Sequence, residues 1–218
     1  MPHCLDERET LALKRHRTPR LAEATIVTNN RKLFRRIEQP GDAHYLTWSC
    51  YRRIPFFKSE RCCQWLADAI VRVAKSHRLH VWGYVFMPDH VHLLMLPTVF
   101  KPGFLMRNAA KSIKQSASRQ TVDWTTANQP DFLPRMLDIQ PNGKSVHRLW
   151  ERGPGYDQNV TDPLAIHNIL AYMHNNPVRK ELVDCAEEWR WSSAHMWSTR
   201  IQGPIPIDFN SFPTLVVT

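Results

Sequence analysis

Residues 80–96 read HVWGYVFMPDHVHLLML. Two apolar runs, His80–Met87 and His90–Leu96, flank Pro88-Asp89. Turn-forming residues between two apolar runs predict a tight turn, and hence a β-hairpin. Upstream, Ala43 to Cys50 (AHYLTWSC) alternates and is rich in aromatic residues, which predicts a strand. Between that strand and the hairpin, Trp65, Leu66, Ala69, Ile70 and Val73 recur at helical spacing, predicting a helix over 58–77. Downstream, a second helix is expected over 103–120, with Leu105, Ala109, Ile113 and Ala117 on its buried face. Ser145–Trp150 is expected as a fourth strand. The order β-α-β-β-α-β is the split β-α-β plan. It predicts an α+β fold with an antiparallel sheet and helices on one face.

The remaining segments punctuate this unit. The stretch 121–143 is polar and weakly patterned and is expected as a loop. Thr161-Asp162-Pro163 opens a helix, since it supplies an N-cap candidate with Pro in the first turn. That helix should end near Asn175, because Pro177 disfavours its continuation. Residues 184–197 are Trp-rich and predict a short closing element, and 203–206 read as extended loop. Residues 1–40 carry nine Lys and Arg against five acids with weak periodicity, ending at the turn Gln39-Pro40-Gly41-Asp42. The expected organisation is a basic extension at 1–41, a domain at 42–197 and a tail at 198–218.

Composition narrows the function. At 218 residues, 43% hydrophobic and 22% charged, the chain has enough apolar side chains to bury a core without staples. No apolar run reaches the ~18 residues of a bilayer span. The first twenty residues have no apolar signal core, so the expected location is cytoplasmic. Five cysteines without a C-x-x-C pattern fit free thiols better than disulfides or zinc. The net charge of +9 favours a polyanionic partner, nucleic acid first.

Candidate chemistry lies in two places. His90 and His92 sit at i and i+2 of a predicted strand, on one face and about 6–7 Å apart along it. They are either a pair that converges on one divalent ion or two histidines on a half-exposed face. Tyr172 and Asn176 lie four apart on the predicted helix, about 6 Å from each other. A Tyr hydroxyl can attack phosphorus, and an Asn carbonyl oxygen suits Mg²⁺ or Mn²⁺. The competing reading is a packing tyrosine and a helix-terminal asparagine. Arg107, Lys111 and Lys114 line one face of the second helix, and Arg152, Arg179 and Lys180 fall near the proposed site. All six are candidates for phosphate contacts. Tyr45, Trp48, Trp150 and Trp189 are either core or stacking platforms for unpaired bases.

Four ordered blocks extend this reading: Val85–Leu94 with its His-Val-His, Leu149-Trp150-Glu151-Arg152, Tyr172–Val183, and Trp189–Ala194. Together they resemble the IS200-like (Y1, HUH-type) tyrosine transposases, in particular their REP-associated branch. The resemblance runs over residues 42–197. It implies a ferredoxin-like palm plus a C-terminal tyrosine-bearing helix. It implies His90, His92 and Asn176 as ligands of a divalent metal (Mg²⁺ or Mn²⁺), and Tyr172 as nucleophile. The implied activity is cleavage and strand transfer on single-stranded or hairpin DNA, REP-like repeats among the candidates, through a 5′-phosphotyrosine. The implied assembly is a monomer or a homodimer, and the implied location is a bacterial cytoplasm, near the nucleoid. The alternatives are a domesticated DNA-binding protein without catalysis and an RNA-binding module on the same β-α-β plan. The latter is disfavoured, because the hairpin carries histidines where such modules carry aromatics.

Overall fold

The computed structural model describes residues 41–98 and 105–215. The basic extension at 1–40 lies outside the described residues. The described chain runs β1 (Ala43–Ser49), α1 (Glu60–His77), β2 (Leu79–Met87), β3 (His90–Pro97), α2 (Met106–Asn128), α3 (Leu133–Met136), β4 (Leu137–Ile139), β5 (Ser145–His147), β6 (Tyr156–Val160), α4 (Pro163–His174), α5 (Asn176–Arg179) and α6 (Ala194–Thr199). The predicted hairpin is β2–β3, closed at Pro88-Asp89 with Met87 opposite His90. Four strands form one sheet in the order β2-β3-β1-β6, with every pair antiparallel. That is the ferredoxin-like order, with β1 and β3 in the middle.

Strand alternation divides the core in two. Val91, Leu93 and Met95 of β3 face α1 and α2, where Leu66, Ile70, Ala109 and Ile113 join them in the larger apolar cluster. His90, His92 and Leu94 face the other way. On that side Leu94 packs with Tyr45, Val85, Ile166, Leu170 and Met173, so α4 lies across the sheet there. The i, i+4, i+7 spacing of Ile166, Leu170 and Met173 gives α4 its buried stripe. Tyr172 stands beside that stripe and is 47% exposed.

A glycine lets α4 approach the sheet. The β2–β3 register shifts between Val81 and Gly83, which turns Trp82 to the α4 side. A Cβ on Gly83 would stand 2.5 Å from Leu170 Cδ1, so the leucine would have to shift to admit even a methyl. The helix starts as its sequence predicts, with Asp162 accepting a 2.7 Å hydrogen bond from Ala165 N–H.

Two expectations are corrected. The fourth strand of the sheet is Tyr156–Val160, whereas 145–147 pairs with β4 in a separate two-stranded ribbon. The true strand, YDQNV, is an edge strand with alternate residues exposed, so it lacks an apolar signature. The second helix continues eight residues beyond Gln120, and 130–139 adds helical turns and a short strand rather than a loop. Thr121 and Thr125 each donate to the carbonyl four residues back, which satisfies their hydroxyls inside the helix. Trp124 packs against Trp65 with Arg61 over its ring.

The outer edge of β2 is capped by the Trp-rich segment. Phe86 N–H donates to Trp191 carbonyl, Ser193 N–H donates to Tyr84 carbonyl, and Val85 bridges Ser192. Trp189 and Trp197 donate their indole N–H groups to the carbonyls of Phe86 and Trp82. Residues beyond 198 continue this cover, with Ile205, Ile207 and Phe212 buried. An exposed strand edge invites unwanted pairing, and these contacts occupy it. Among the described residues no helix is long and apolar enough to cross a membrane.

Candidate active site

His90 and His92 lie at the hairpin end of the central strand β3, on the sheet face against which α4 packs. Register places Thr47 directly opposite His92 and Ser49 opposite His90. The two imidazoles meet edge to face with centroids 4.9 Å apart. Each is held from behind. His92 Nδ1 lies 2.8 Å from Tyr45 Oη and 3.1 Å from Thr47 Oγ1. Its Nε2 lies 2.7 Å from Asn176 Nδ2. His90 Nδ1 donates to Asp89 Oδ1 at 2.6 Å, and Arg53 reaches the same carboxylate.

The protonation states follow from these contacts. His92 is buried, and burial, with the neighbouring His90, lowers its pKa to about 3. It is therefore neutral at pH 7. Its Nδ1 faces the two hydroxyls and its Nε2 faces the Asn176 amide; in the tautomer with the proton on Nδ1, the Nε2 lone pair is directed at Asn176. Burial pushes the Asp89 carboxyl up, but the His90 hydrogen bond and the charges of His90 and Arg53 outweigh it, and the net shift is downward. Burial pushes Tyr45 up to about 12, so its phenol stays protonated and available to His92.

Tyr172 and Asn176 arrive from the end of α4. The helix stops at His174 and a second short helix starts at Asn176, because Pro177 has no N–H to continue the ladder. Asn175 keeps a right-handed helical conformation, so Asn176 still falls on the side of Tyr172. The Tyr172 ring stands edge-on to His92 with centroids 6.2 Å apart, and Arg179 lies 5.0 Å over its face. Among the described residues its hydroxyl makes no hydrogen bond. His174 points away, half-buried, with Nε2 2.8 Å from Ser193 Oγ. One open pocket of about 360 Å³ brings together His90, His92, Tyr172, Asn176, Arg179 and Lys180. Thr47, Ser49 and Arg53 complete its wall.

The other predicted contacts lie outside this pocket. Arg107 and Lys111 are exposed on α2, which packs on the opposite face of the sheet from the histidines. Lys114 is partly buried and donates to Gly153 carbonyl. Arg152 is bound to Asp138, which Arg148 also grips. Tyr45, Trp48 and Trp150 are core residues, and Trp189 is spent on the β2 edge. Sequence reasoning did not assign Thr47, Arg53 or the bond from Asp89 to His90. Thr47 and Tyr45 alternate with the buried face of β1, so strand register was the available signal.

The donor set is compatible with a hard divalent ion: two histidines oriented through their Nδ1 atoms, and an amide in contact with Nε2 of His92. Rotation of that amide exchanges NH₂ for carbonyl oxygen. Among the described residues no cluster of three or more His, Cys, Asp and Glu side chains offers a different site.

A solved structure described as a REP-associated tyrosine transposase bound to a REP hairpin superposes with a TM-score of 0.56. The chains share one fold. The match covers 84% of this chain and 98% of that one, at 16% sequence identity. A Deinococcus radiodurans protein provisionally named a transposase matches 61% of this chain and 88% of its own, at 21% identity. Its TM-score of 0.38 is too low to bear on the fold. No protein-family model matches the sequence, and neither does any protein of curated function.

Proposed function

We propose that the protein is a metal-dependent tyrosine transposase of the REP-associated IS200-like kind, cutting and rejoining single-stranded or hairpin DNA. The observation that carries this reading is the single pocket holding Tyr172, His90, His92 and Asn176. These residues come from β3 and from the α4–α5 junction, 80 or more positions apart in sequence, and packing alone has no reason to gather them. The transposase-like fold and the +9 net charge are consistent with it.

Tyr172 attacks the scissile phosphorus with its phenolic oxygen. The bond to the 3′-oxygen breaks, leaving a 5′-phosphotyrosine and a 3′-hydroxyl; the phenolic proton passes to solvent, and the departing 3′-oxygen takes one from solvent. The bond energy is kept, so a 3′-hydroxyl can later reverse the attack and rejoin DNA without ATP. His90, His92 and Asn176 would hold Mg²⁺ or Mn²⁺, which when bound offsets the negative charge of the phosphodiester. Arg179 packs on the nucleophile's ring and, with Lys180, supplies positive charge where the phosphate enters. Thr47 and Tyr45 keep His92 in the tautomer that presents Nε2. All four residues belong to one chain, which supports a site complete within a protomer.

The test is a labelled hairpin oligonucleotide incubated with the protein and Mn²⁺, with and without EDTA, and run on a denaturing protein gel. A labelled, protein-sized band is expected that needs metal and disappears in Tyr172→Phe. Binding without any such band across a broad oligonucleotide pool would leave a DNA-binding protein that lacks this chemistry.

A further inference from the structure

A second pocket of about 360 Å³ adjoins the first, and Thr47, Ser49 and Arg53 line both. Its far wall is Trp48, Lys114, Glu151, Arg152, Gly155 and Tyr156, with the Glu151 carboxylate engaged by Arg52 N–H. Three features mark it as a ligand site. The first is Lys114. Its ammonium is partly withdrawn from water and donates to Gly153 carbonyl at 2.9 Å. It makes no ion pair among the described residues. Burial and the nearby charge of Arg148 lower its pKa. Arg152, by contrast, already has Asp138.

The second feature is the turn that carries Arg53. Arg52 and Arg53 both take the left-handed conformation, at φ 51° and 55°. Two successive non-glycine residues there are costly, and such strain persists where surrounding contacts hold it. The contacts come from the Leu149–Glu151 segment. Tyr51 N–H donates to Leu149 carbonyl, and Arg52 N–H donates to the Glu151 carboxylate at 2.6 Å. The strained turn places Arg53 at the junction of the two pockets, 63% exposed. The third feature is Trp48, whose buried indole N–H has no acceptor. Gly155 covers it, at φ 84°, so close that a Cβ would stand 2.4 Å from the indole.

We propose that this second pocket holds the nucleotide next to the scissile phosphate, its phosphate against Lys114 and its sugar-phosphate link passing Arg53. The inference rests on the reading of the first pocket as the cleavage site. A phosphate supplies the anion that Lys114 lacks, and the groove that Arg53 straddles gives the strand a continuous path. The exposed ring of Tyr156 offers the base a stacking face. The pocket volume suits one nucleotide rather than a duplex.

The test uses full-length Tyr172→Phe protein and a dodecamer of thymidylate carrying 5-iodouracil. Photocrosslinking followed by tandem mass spectrometry is expected to place the adduct on Tyr156 or its neighbours in 153–156. Lys114→Gln should abolish that adduct and reduce the salt slope of binding by about 0.7, the share of one single-strand phosphate contact. Lys114→Arg should restore both, which separates lost charge from lost folding. Lys75→Gln, the same charge change at another pocket, should alter neither. Adducts that fall only outside 153–156, or a slope unchanged in Lys114→Gln, overturn the proposal. The same crosslink in a protein whose wild type forms no covalent band keeps the pocket and removes the cleavage chemistry. A covalent band with crosslinks elsewhere does the reverse.

Discussion

Replacing Gly83 by Ala tests how α4 is seated. A glycine inside a strand ordinarily costs about 0.5–1 kcal/mol relative to alanine, so the substitution should stabilise. Here the added Cβ would meet Leu170 Cδ1 at 2.5 Å, with Ser193 Oγ at 3.5 Å and Met173 Cε at 3.7 Å. Leu170 is only 7% exposed and has little room to swing. Overpacking of this kind costs about 1–3 kcal/mol. The net expectation is a loss of roughly 0.5–2 kcal/mol, which for a chain this size lowers Tm by about 1–8 °C. Because Tyr172 lies two residues beyond Leu170, the displaced helix should also slow adduct formation in single-turnover assays, since small misplacements of reacting groups are expensive. Adding Leu170→Ala should produce favourable coupling, because the methyl introduced at position 83 then fills part of the space the leucine leaves. A double-mutant cycle from thermal or urea unfolding would measure it. A Gly83→Ala protein with raised Tm, or a cycle with no coupling, would refute the account of close approach.

Three other outcomes are expected. Tyr45→Phe removes the hydroxyl 2.8 Å from His92 Nδ1 and should weaken Mn²⁺ binding by about 10–100-fold in calorimetric titration; unchanged affinity would mean that Thr47 alone orients the ring. Gly155→Ala should unfold at lower temperature than wild type and lower than Gly83→Ala. Its Cβ would meet backbone, Thr47 O at 2.7 Å, and its φ of 84° disfavours any side chain. Asp138 has its pKa lowered to about 2, chiefly by the Arg152 hydrogen bond, below the unfolded carboxyl value of about 3.9. Its stabilisation is therefore fully present above about pH 4 and is lost as pH falls towards 2. The stability gap between wild type and Asp138→Asn should close over that window in pH-dependent unfolding, and a gap that stays constant would exclude the pairing as its source.

Local pattern was enough for the central architecture. The hairpin, β1, α1 and α4 all carry strong periodicity or turn signals, and each forms within about two residues of its sequence-predicted span. The candidate ligands and nucleophile were legible for the same reason. A two-residue step on a strand and a four-residue step on a helix fix which side chains share a face, whatever the rest of the chain does. The polar edge strand β6 and the threonine-rich end of α2 were not legible. Their stability comes from a neighbouring strand and from packing against α1, and not from their own composition.

The residues themselves determined an antiparallel α+β unit, a histidine pair on one face of its hairpin, and a tyrosine and an asparagine on a later helix. Only the tertiary structure decided that the two faces are one pocket. That meeting depends on contacts between residues distant in sequence: Gly83 admitting Leu170, Asn176 reaching His92, and Thr47 falling opposite His92 across the sheet. Hydrophobic periodicity records which side of an element is buried. It carries no information about the partner against which that side is buried, because burial is non-directional while a site requires particular atoms at particular distances.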